Sequence, residues 1–141
     1  MASYKYLIIG AGMTADAAVR GIRELDADGG IGLIGKDQNP PYNRPPLTKA
    51  LWKGKPLDSI WRRTEQFSVD LHLGRTAISI DPHKKVVLDD QGNENKYEKL
   101  LLATGGTPRK FPFGSGDIIY YRTLEDYRQL REMTSHVDIF A

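Results

Sequence analysis

Apolar residues fall in short runs along this chain, and the spacing within each run predicts an element. Tyr6, Leu7, Ile8 and Ile9 follow one another without polar alternation, the pattern of a strand buried on both faces of a parallel sheet. Ala15, Ala18, Ile22 and Leu25 recur at helical spacing and predict a helix over residues 14–25, stopped by the Asp-Ala-Asp-Gly-Gly turn at 26–30. A second buried run, Ile31, Gly32, Leu33 and Ile34, completes a strand–helix–strand unit. The proline-dense segment 40–46 cannot be helical. After it, a short helix is expected from near Pro46, carrying Lys49 and Trp52 and ending at Gly54, and another near 59–66. Val69–Leu73 alternates as a strand with one buried face, and 78–80 and 85–88 are further short strands. Together these three suggest a small antiparallel meander inserted into an otherwise parallel fold. A polar turn at 89–95 precedes Leu100, Leu101, Leu102 and Ala103, another buried-strand pattern. Thr123 and Asp126 form a capping pair for a helix expected to bury Leu124, Tyr127, Leu130 and Met133, and 136–141 begins to look like one more strand. The class is α/β: a Rossmann-like parallel sheet with helices and an inserted antiparallel meander.

The first strand runs into Gly10-Ala11-Gly12-Met13-Thr14-Ala15, which spells the G-x-G-x-x-G/A dinucleotide fingerprint. Gly10 permits the tight turn, Gly12 lets backbone N–H groups approach a pyrophosphate, and Ala15 lets the helix pack on the strand. The positive end of that helix then points at the phosphates. The hexad follows a strand and precedes a helix, the context that separates a diphosphate site from a plain glycine turn. Ala103, Thr104 and Gly105 are small residues at the carboxyl end of a strand, where open α/β sheets bind ligands; an ordinary Gly-Gly turn is the other reading. Stiff backbone around Arg44 suits presentation of that side chain to a ligand, or it is an ordinary charged surface loop.

Composition narrows the picture by exclusion. With 20 Lys and Arg against 18 Asp and Glu, there is no electrostatic case for nucleic acid. No apolar run reaches the roughly 20 residues that span a bilayer. The first strand starts too early to leave room for a leader peptide, and the absence of cysteine fits a cytoplasmic setting and excludes a redox disulfide within this segment. His72 is expected to face solvent, and His83 and His136 to sit in turns, none with partners for a metal. Trp52 and Trp61 are expected to pack, and Lys53, Lys55, Arg62 and Arg63 to form a solvated face.

Four blocks carry a resemblance: Ile8-Ile9-Gly10-Ala11-Gly12, the Pro-Tyr-Asn-Arg-Pro-Pro-Leu-Thr-Lys run at 41–49, the Tyr-Glu-Lys-Leu-Leu-Leu-Ala-Thr-Gly-Gly-Thr-Pro-Arg run at 97–109, and Tyr-Arg-Thr-Leu-Glu-Asp at 121–126. In this order and spacing the chain resembles the N-terminal part of the FAD-dependent pyridine nucleotide oxidoreductases, in the branch of ferredoxin and rubredoxin reductases and apoptosis-inducing factor. The resemblance implies roles. Gly10, Ala11, Gly12, Met13, Thr14 and Ala15 would line the FAD pyrophosphate. Arg44 and Lys49 would reach the cofactor beside the phosphates and flavin, Arg122 would also touch FAD, the backbone of Ala77 would meet the adenine, and Ala103, Thr104 and Gly105 would pass close to the cofactor. Where the family places an acid for the adenosine ribose this chain has Lys36, which cannot accept those hydrogen bonds. Either Asp37 takes over after a one-residue shift, or backbone and water hold the ribose. No side chain is expected as a general acid or base.

By length the resemblance implies a fragment: residues 1–134 as an incomplete FAD-binding domain, and 135–141 as the start of a nicotinamide-binding domain. The full protein would take electrons from NAD(P)H through FAD to a small iron–sulfur protein or other acceptor. The alternatives are a signalling or structural flavoprotein of apoptosis-inducing-factor type, and a plain NAD(P)-binding Rossmann domain.

Overall fold

The structure, a computed structural model, describes residues 2–114, 116 and 118–134. Its regular elements are β1 (Ala2–Ile9), α1 (Met13–Leu25), β2 (Ile31–Gly35), β3 (Val69–Leu73), β4 (Ala77–Asp81), β5 (Val86–Asp89), β6 (Glu94–Leu102) and α2 (Leu124–Thr134), with four short 3-10 turns between β2 and β3. The chain forms two compact units, one of Met1–Tyr42 and Trp61–Gly105, the other of Asn43–Ile60 and Gly106–Ala141. The strand expected at 136–141, His136 and the boundary at 134/135 lie in or against residues outside those described.

The first unit is a six-stranded sheet in the order β3-β2-β1-β6-β5-β4. β1 pairs in parallel with β2 and β6, and β2 in parallel with β3, whereas β5 is antiparallel to both β6 and β4. The parallel core and the antiparallel meander are thus one sheet sharing β6. Two expectations change here. β3 belongs to the parallel half, with Val69 opposite Ile31, because alternation reveals which face of a strand is buried but not which strand it pairs with. β6 begins at Glu94, well before Leu100, because Glu94 and Lys96 are polar residues on an exposed face rather than a turn. The turn itself is residues 90–93.

Side chains alternate across the central strands into two apolar layers. Ile8, Ile31 and Leu33 pack with Ala15 and Val19 of α1, and Leu7, Ile9, Ile34 and Val87 pack with Tyr4 on the opposite face. In this unit, residues expected in the core are exposed at two places: Leu25 is 92% exposed, and on β6 Leu101 and Leu102 are 39% and 60% exposed. Leu25 is the last residue of α1, so no following turn carries it over the sheet.

His72 differs from its expected surface position. It is half-buried, and its Nε2 lies 2.7 Å from the Tyr4 hydroxyl. Burial, assisted by the charge of Arg75, lowers its pKa below the ordinary histidine value, against the pull of Asp70 and Asp89. Burial also pushes the Tyr4 hydroxyl up to about 12, with the nearby Asp70 carboxylate acting in the same direction.

In the second unit the expected helix over Lys49 and Trp52 is two 3-10 turns, Pro45–Thr48 and Leu51–Lys53, broken at Lys49 by a backbone of φ −135° and ψ −86°. Pro45 and Pro46 supply no N–H to an α-helical ladder, and Gly54 ends the second turn with φ +84°, the left-handed C′ residue expected there. The helix expected near 59–66 is likewise two turns, Leu57–Ile60 in this unit and Thr64–Phe67 in the first. Arg63 is left-handed between them, and Trp61 is bridged to Tyr42. The α2 cap follows its sequence pattern: the Asp126 carboxylate accepts from the Thr123 N–H at 2.6 Å, and the Thr123 hydroxyl accepts from the Asp126 N–H at 3.2 Å. Leu124 is buried and Tyr127 and Leu130 half-buried, but Met133 is 49% exposed. Both tryptophans pack edge-to-face, Trp52 on Tyr127 in this unit and Trp61 on Tyr42 in the first.

Candidate cofactor site

The carboxyl ends of β1, β2 and β6 meet at one edge of the sheet. Gly10 N–H donates to the Ile34 carbonyl and Ala103 N–H to the Ile9 carbonyl, each at 2.7 Å. From β1 the chain goes to β2 on one side, while β6 lies on the other, so this edge is the topological switch point where open α/β sheets bind ligands. Gly10 is required by the protein itself. Its φ is +121°, and a Cβ there would lie 2.1 Å from the Ala103 carbonyl oxygen. Ala11 fills the space above Gly35, where an added Cβ would come within 2.2 Å of the Ala11 Cβ.

Gly12 is different. It is the N-cap of α1, with φ −97° and ψ −170°, a conformation open to any L-residue, and a Cβ there would meet nothing within 4 Å. No side chain caps the helix, so the orphan N–H groups of its first turn have no side-chain acceptor. Neither backbone strain nor a neighbour in the chain calls for glycine at 12. An uncapped helix start beneath open space is a cradle suited to an anion such as a diphosphate. Ala15 is fully buried on the sheet, and Met13 and Thr14 are exposed.

The other residues singled out in this unit border the same edge or lie next to it. Lys36 and Asp37 follow β2, and the loop after β3 is sewn to them: Gly74 N–H donates to the Asp37 carbonyl and Arg75 N–H to the Gly35 carbonyl. The Lys36 side chain is exposed. The Asp37 carboxylate accepts from the Asn39 N–H at 2.9 Å, the Asn39 amide at 2.8 Å and the Tyr42 hydroxyl at 3.1 Å, so it is committed to its own loop. Ala77 opens β4 opposite Asp89. Beyond β6, Ala103 is half-buried, Thr104 and Gly105 are exposed, and Gly105 has φ +68°.

In the second unit Arg44 and Arg122 come together. The Arg44 Nη1 donates to the Arg122 carbonyl at 3.2 Å. Burial would raise the Asp126 carboxyl, but hydrogen bonds from Thr123 and the Arg122 N–H, with the Arg44 charge, hold it below the ordinary range. Lys49 is exposed.

One cluster escaped the sequence reading. Asp16, the fourth residue of α1, is completely buried and holds Arg20, Arg62 and Thr64. Arg62 is therefore half-buried in an ion pair and not part of a solvated face. The i,i+4 spacing of Asp16 and Arg20 was a visible signal; the return of residues 62–64 to this helix was not.

Residues 4–139 match the family described as pyridine nucleotide-disulphide oxidoreductase. The chain belongs to that family. It is 38% identical over 152 residues to apoptosis-inducing factor 1, mitochondrial, of Dictyostelium discoideum, covering 92% of this chain and 29% of that protein. It is 35% identical over 133 residues to rubredoxin-NAD(+) reductase of Pseudomonas putida, covering 89% and 34%. The solved covalent complex of putidaredoxin reductase and putidaredoxin superposes with a TM-score of 0.83 at 31% identity, covering 94% of this chain and 34% of that one. The chain thus spans about a third of the length of the curated relatives it matches. Among the described residues, no helix is long and apolar enough to cross a membrane.

Proposed function

We propose that this chain is FAD-binding sequence of an NAD(P)H-dependent oxidoreductase that delivers electrons to a small iron–sulfur protein of rubredoxin or ferredoxin kind, in the cytoplasm. The observation that carries the reading is Gly12, a glycine without a conformational or packing reason, at an uncapped helix start. The relatives add to it, since rubredoxin-NAD(+) reductase and putidaredoxin reductase are named for such acceptors. On this reading residues 1–134 belong to the flavin domain and 135–141 open a nicotinamide-binding domain.

FAD held here would supply the chemistry, accepting hydride from NAD(P)H and releasing electrons one at a time. The chain's own residues bind and orient. The first-turn amides of Met13, Thr14 and Ala15 take the pyrophosphate, with Gly10, Ala11 and Gly12 shaping the turn. Arg44 and Lys49 would neutralise its charge, Lys49 would also favour the anionic reduced ring, and Arg122 would touch the cofactor. Ala77 meets the adenine through its backbone, and Ala103, Thr104 and Gly105 allow close approach. The three hydrogen bonds already made to the Asp37 carboxylate favour backbone and water as the ribose contacts. No group here is needed as a general acid or base.

The test is the visible spectrum of the complete polypeptide. Bands near about 375 and 450 nm that persist through gel filtration are expected, as for oxidised protein-bound flavin generally. A colourless protein that fails to take up added FAD would overturn the reading. A second reading has one observation behind it: exposed Lys36 after β2 stands where a cation can meet a ribose 2′-phosphate. Tight NADPH binding without flavin uptake would favour that reading.

A further inference from the structure

Within the first unit, Tyr4 crosses a strand to reach a histidine. It sits on β1, and its ring lies over Gly32 of β2, where an added Cβ would come within 2.6 Å of it. Its hydroxyl meets His72 Nε2 on β3 at 2.7 Å, with the two rings edge-to-face and their centroids 5.9 Å apart. A glycine inside a strand costs conformational entropy and packing, so Gly32 marks the close approach it permits. An apolar pair could fill the same layer without burying polar groups, and the dinucleotide fingerprint has no use for this one.

His72 stands two residues before a loop on the cofactor edge. β3 is parallel to β2 with Leu73 opposite Gly35, so both strands end at that edge. Beyond Leu73, Gly74 N–H donates to the Asp37 carbonyl at 3.1 Å, Arg75 N–H to the Gly35 carbonyl at 3.0 Å, and Thr76 N–H to the Asp90 carboxylate at 3.0 Å. The chain then enters β4 at Ala77. The charged and titratable groups facing His72 are Tyr4 of β1, Asp70 of its own strand, Arg75 of the loop and Asp89 of β5, while β2 presents Ile34. Arg75 lies 3.3 Å from the Asp89 carboxylate, which is fully buried and already accepts from the Gln91 and Asn93 N–H groups. Asp70 is exposed, so water screens its pull. A proton on His72 therefore sets a second cation beside Arg75, with one buried carboxylate between them. Burial and the Arg75 charge already hold the His72 pKa below the ordinary histidine value.

We propose that the Tyr4–His72 pair is a proton-sensitive latch on the adenosine end of the cofactor site: uncharged His72 leaves the 74–76 loop in place, whereas charged His72 displaces Arg75 and loosens that loop, so FAD is held less tightly. The latch rests on the flavin reading above, which puts the adenine at Ala77 and its ribose at the end of β2, on either side of this loop. Its sign separates it from plain electrostatics. A new positive charge in this unit attracts a bound diphosphate, so charge alone would tighten FAD as pH falls. The latch demands the opposite. Linkage makes the effect reciprocal: FAD, held by the intact loop, must disfavour the proton on His72.

The experiment uses the complete polypeptide from about pH 5 to about pH 8, the range in which an ordinary histidine changes charge, with circular dichroism confirming the fold at each point. Two quantities are measured: FAD affinity by fluorescence quenching, and the His72 titration by NMR with and without FAD. Wild-type protein should bind FAD several-fold more weakly at the acid end, with a slope of no more than about tenfold per pH unit for one linked proton. His72→Gln should give a flat profile, and His83→Gln, in the exposed turn between β4 and β5, should keep the wild-type one. With FAD bound, His72 should titrate at lower pH. A wild-type profile that is flat or tightens toward acid overturns the latch, as does a full slope in His72→Gln or a His72 titration that FAD leaves unmoved or raises. Should His72→Gln not fold, the two wild-type measurements decide. Failure to bind FAD at every pH would sink the flavin reading and the latch with it, whereas FAD binding indifferent to pH would sink the latch alone.

Discussion

Two glycines two residues apart answer to different constraints, and this separates fold from site at single residues. Gly10 has a left-handed φ and a backbone carbonyl where its Cβ would be, so Gly10→Ala should cost of order 2 kcal/mol or more in urea unfolding, whatever is bound. Gly12 has neither constraint. Gly12→Ser would give α1 the side-chain N-cap it lacks and add a few tenths of a kcal/mol to stability. The same hydroxyl would engage first-turn N–H groups and fill the open space above them. Stability and cofactor binding should therefore move in opposite directions: a slightly higher Tm, with FAD affinity lower by about tenfold or more. A Gly12→Ser protein that keeps wild-type FAD affinity would mean the diphosphate sits elsewhere. Gly10 was legible in the sequence for its turn; the open space at Gly12 became visible only in three dimensions.

At the scale of elements, what the sequence displayed was period and punctuation. β1, α1, β2 and the Thr123–Asp126 cap follow from runs, helical spacing and a capping pair, all set by neighbours within a few residues. What it concealed was long-range: β3 pairs with β2, and the polar start of β6 resembles a turn until its partners are known. The Asp16 cluster was hidden for the same reason, since its partners lie 46 and 48 positions away. The turn between β5 and β6 shows how local polarity misleads. Asp89 is fully buried at its root, accepting from the N–H groups of Gln91 and Asn93 and from the Asn93 amide, with Arg75 at 3.3 Å. It ends a strand and organises the loop, so it looks like a loop residue. Asp89→Ala would leave those donors without their acceptor and should cost about 2–4 kcal/mol. The urea midpoint should fall with little change in slope. Asp90→Ala should cost far less, because Asp90 is exposed. Equal effects at 89 and 90 would show that the buried carboxylate does not hold the meander together.

For the molecule as a whole, the shifted groups fix how stability depends on pH. Hydrogen bonds and cations outweigh burial to hold Asp16, Asp89 and Asp126 below the ordinary carboxylate range, and Lys5, the Gly29 N–H and Tyr6 do the same for Asp26. A carboxylate depressed in the folded state binds fewer protons there than in the unfolded chain. Its contribution is complete above the unfolded value of about 4 and drains away as pH falls through the lower folded value. His72 acts in the same direction from higher pH. Burial lowers its folded pKa, so the unfolded chain takes up its proton first as pH drops below about 6.5. Tyr4 bounds the alkaline side: with its hydroxyl pushed up to about 12, the unfolded chain loses that proton first, and stability declines as pH rises from about 10. The profile should therefore show a plateau from about pH 7 to 9, a shallow first fall below about 6.5 and a steeper one below about 4. Urea midpoints followed by circular dichroism across this range would resolve the steps. His72→Gln should abolish the upper acid step and leave the lower one, whereas Asp16→Asn should shrink the lower step and leave the upper. If the upper step survives His72→Gln, the Tyr4–His72 pair is not what couples this fold to protons near neutrality.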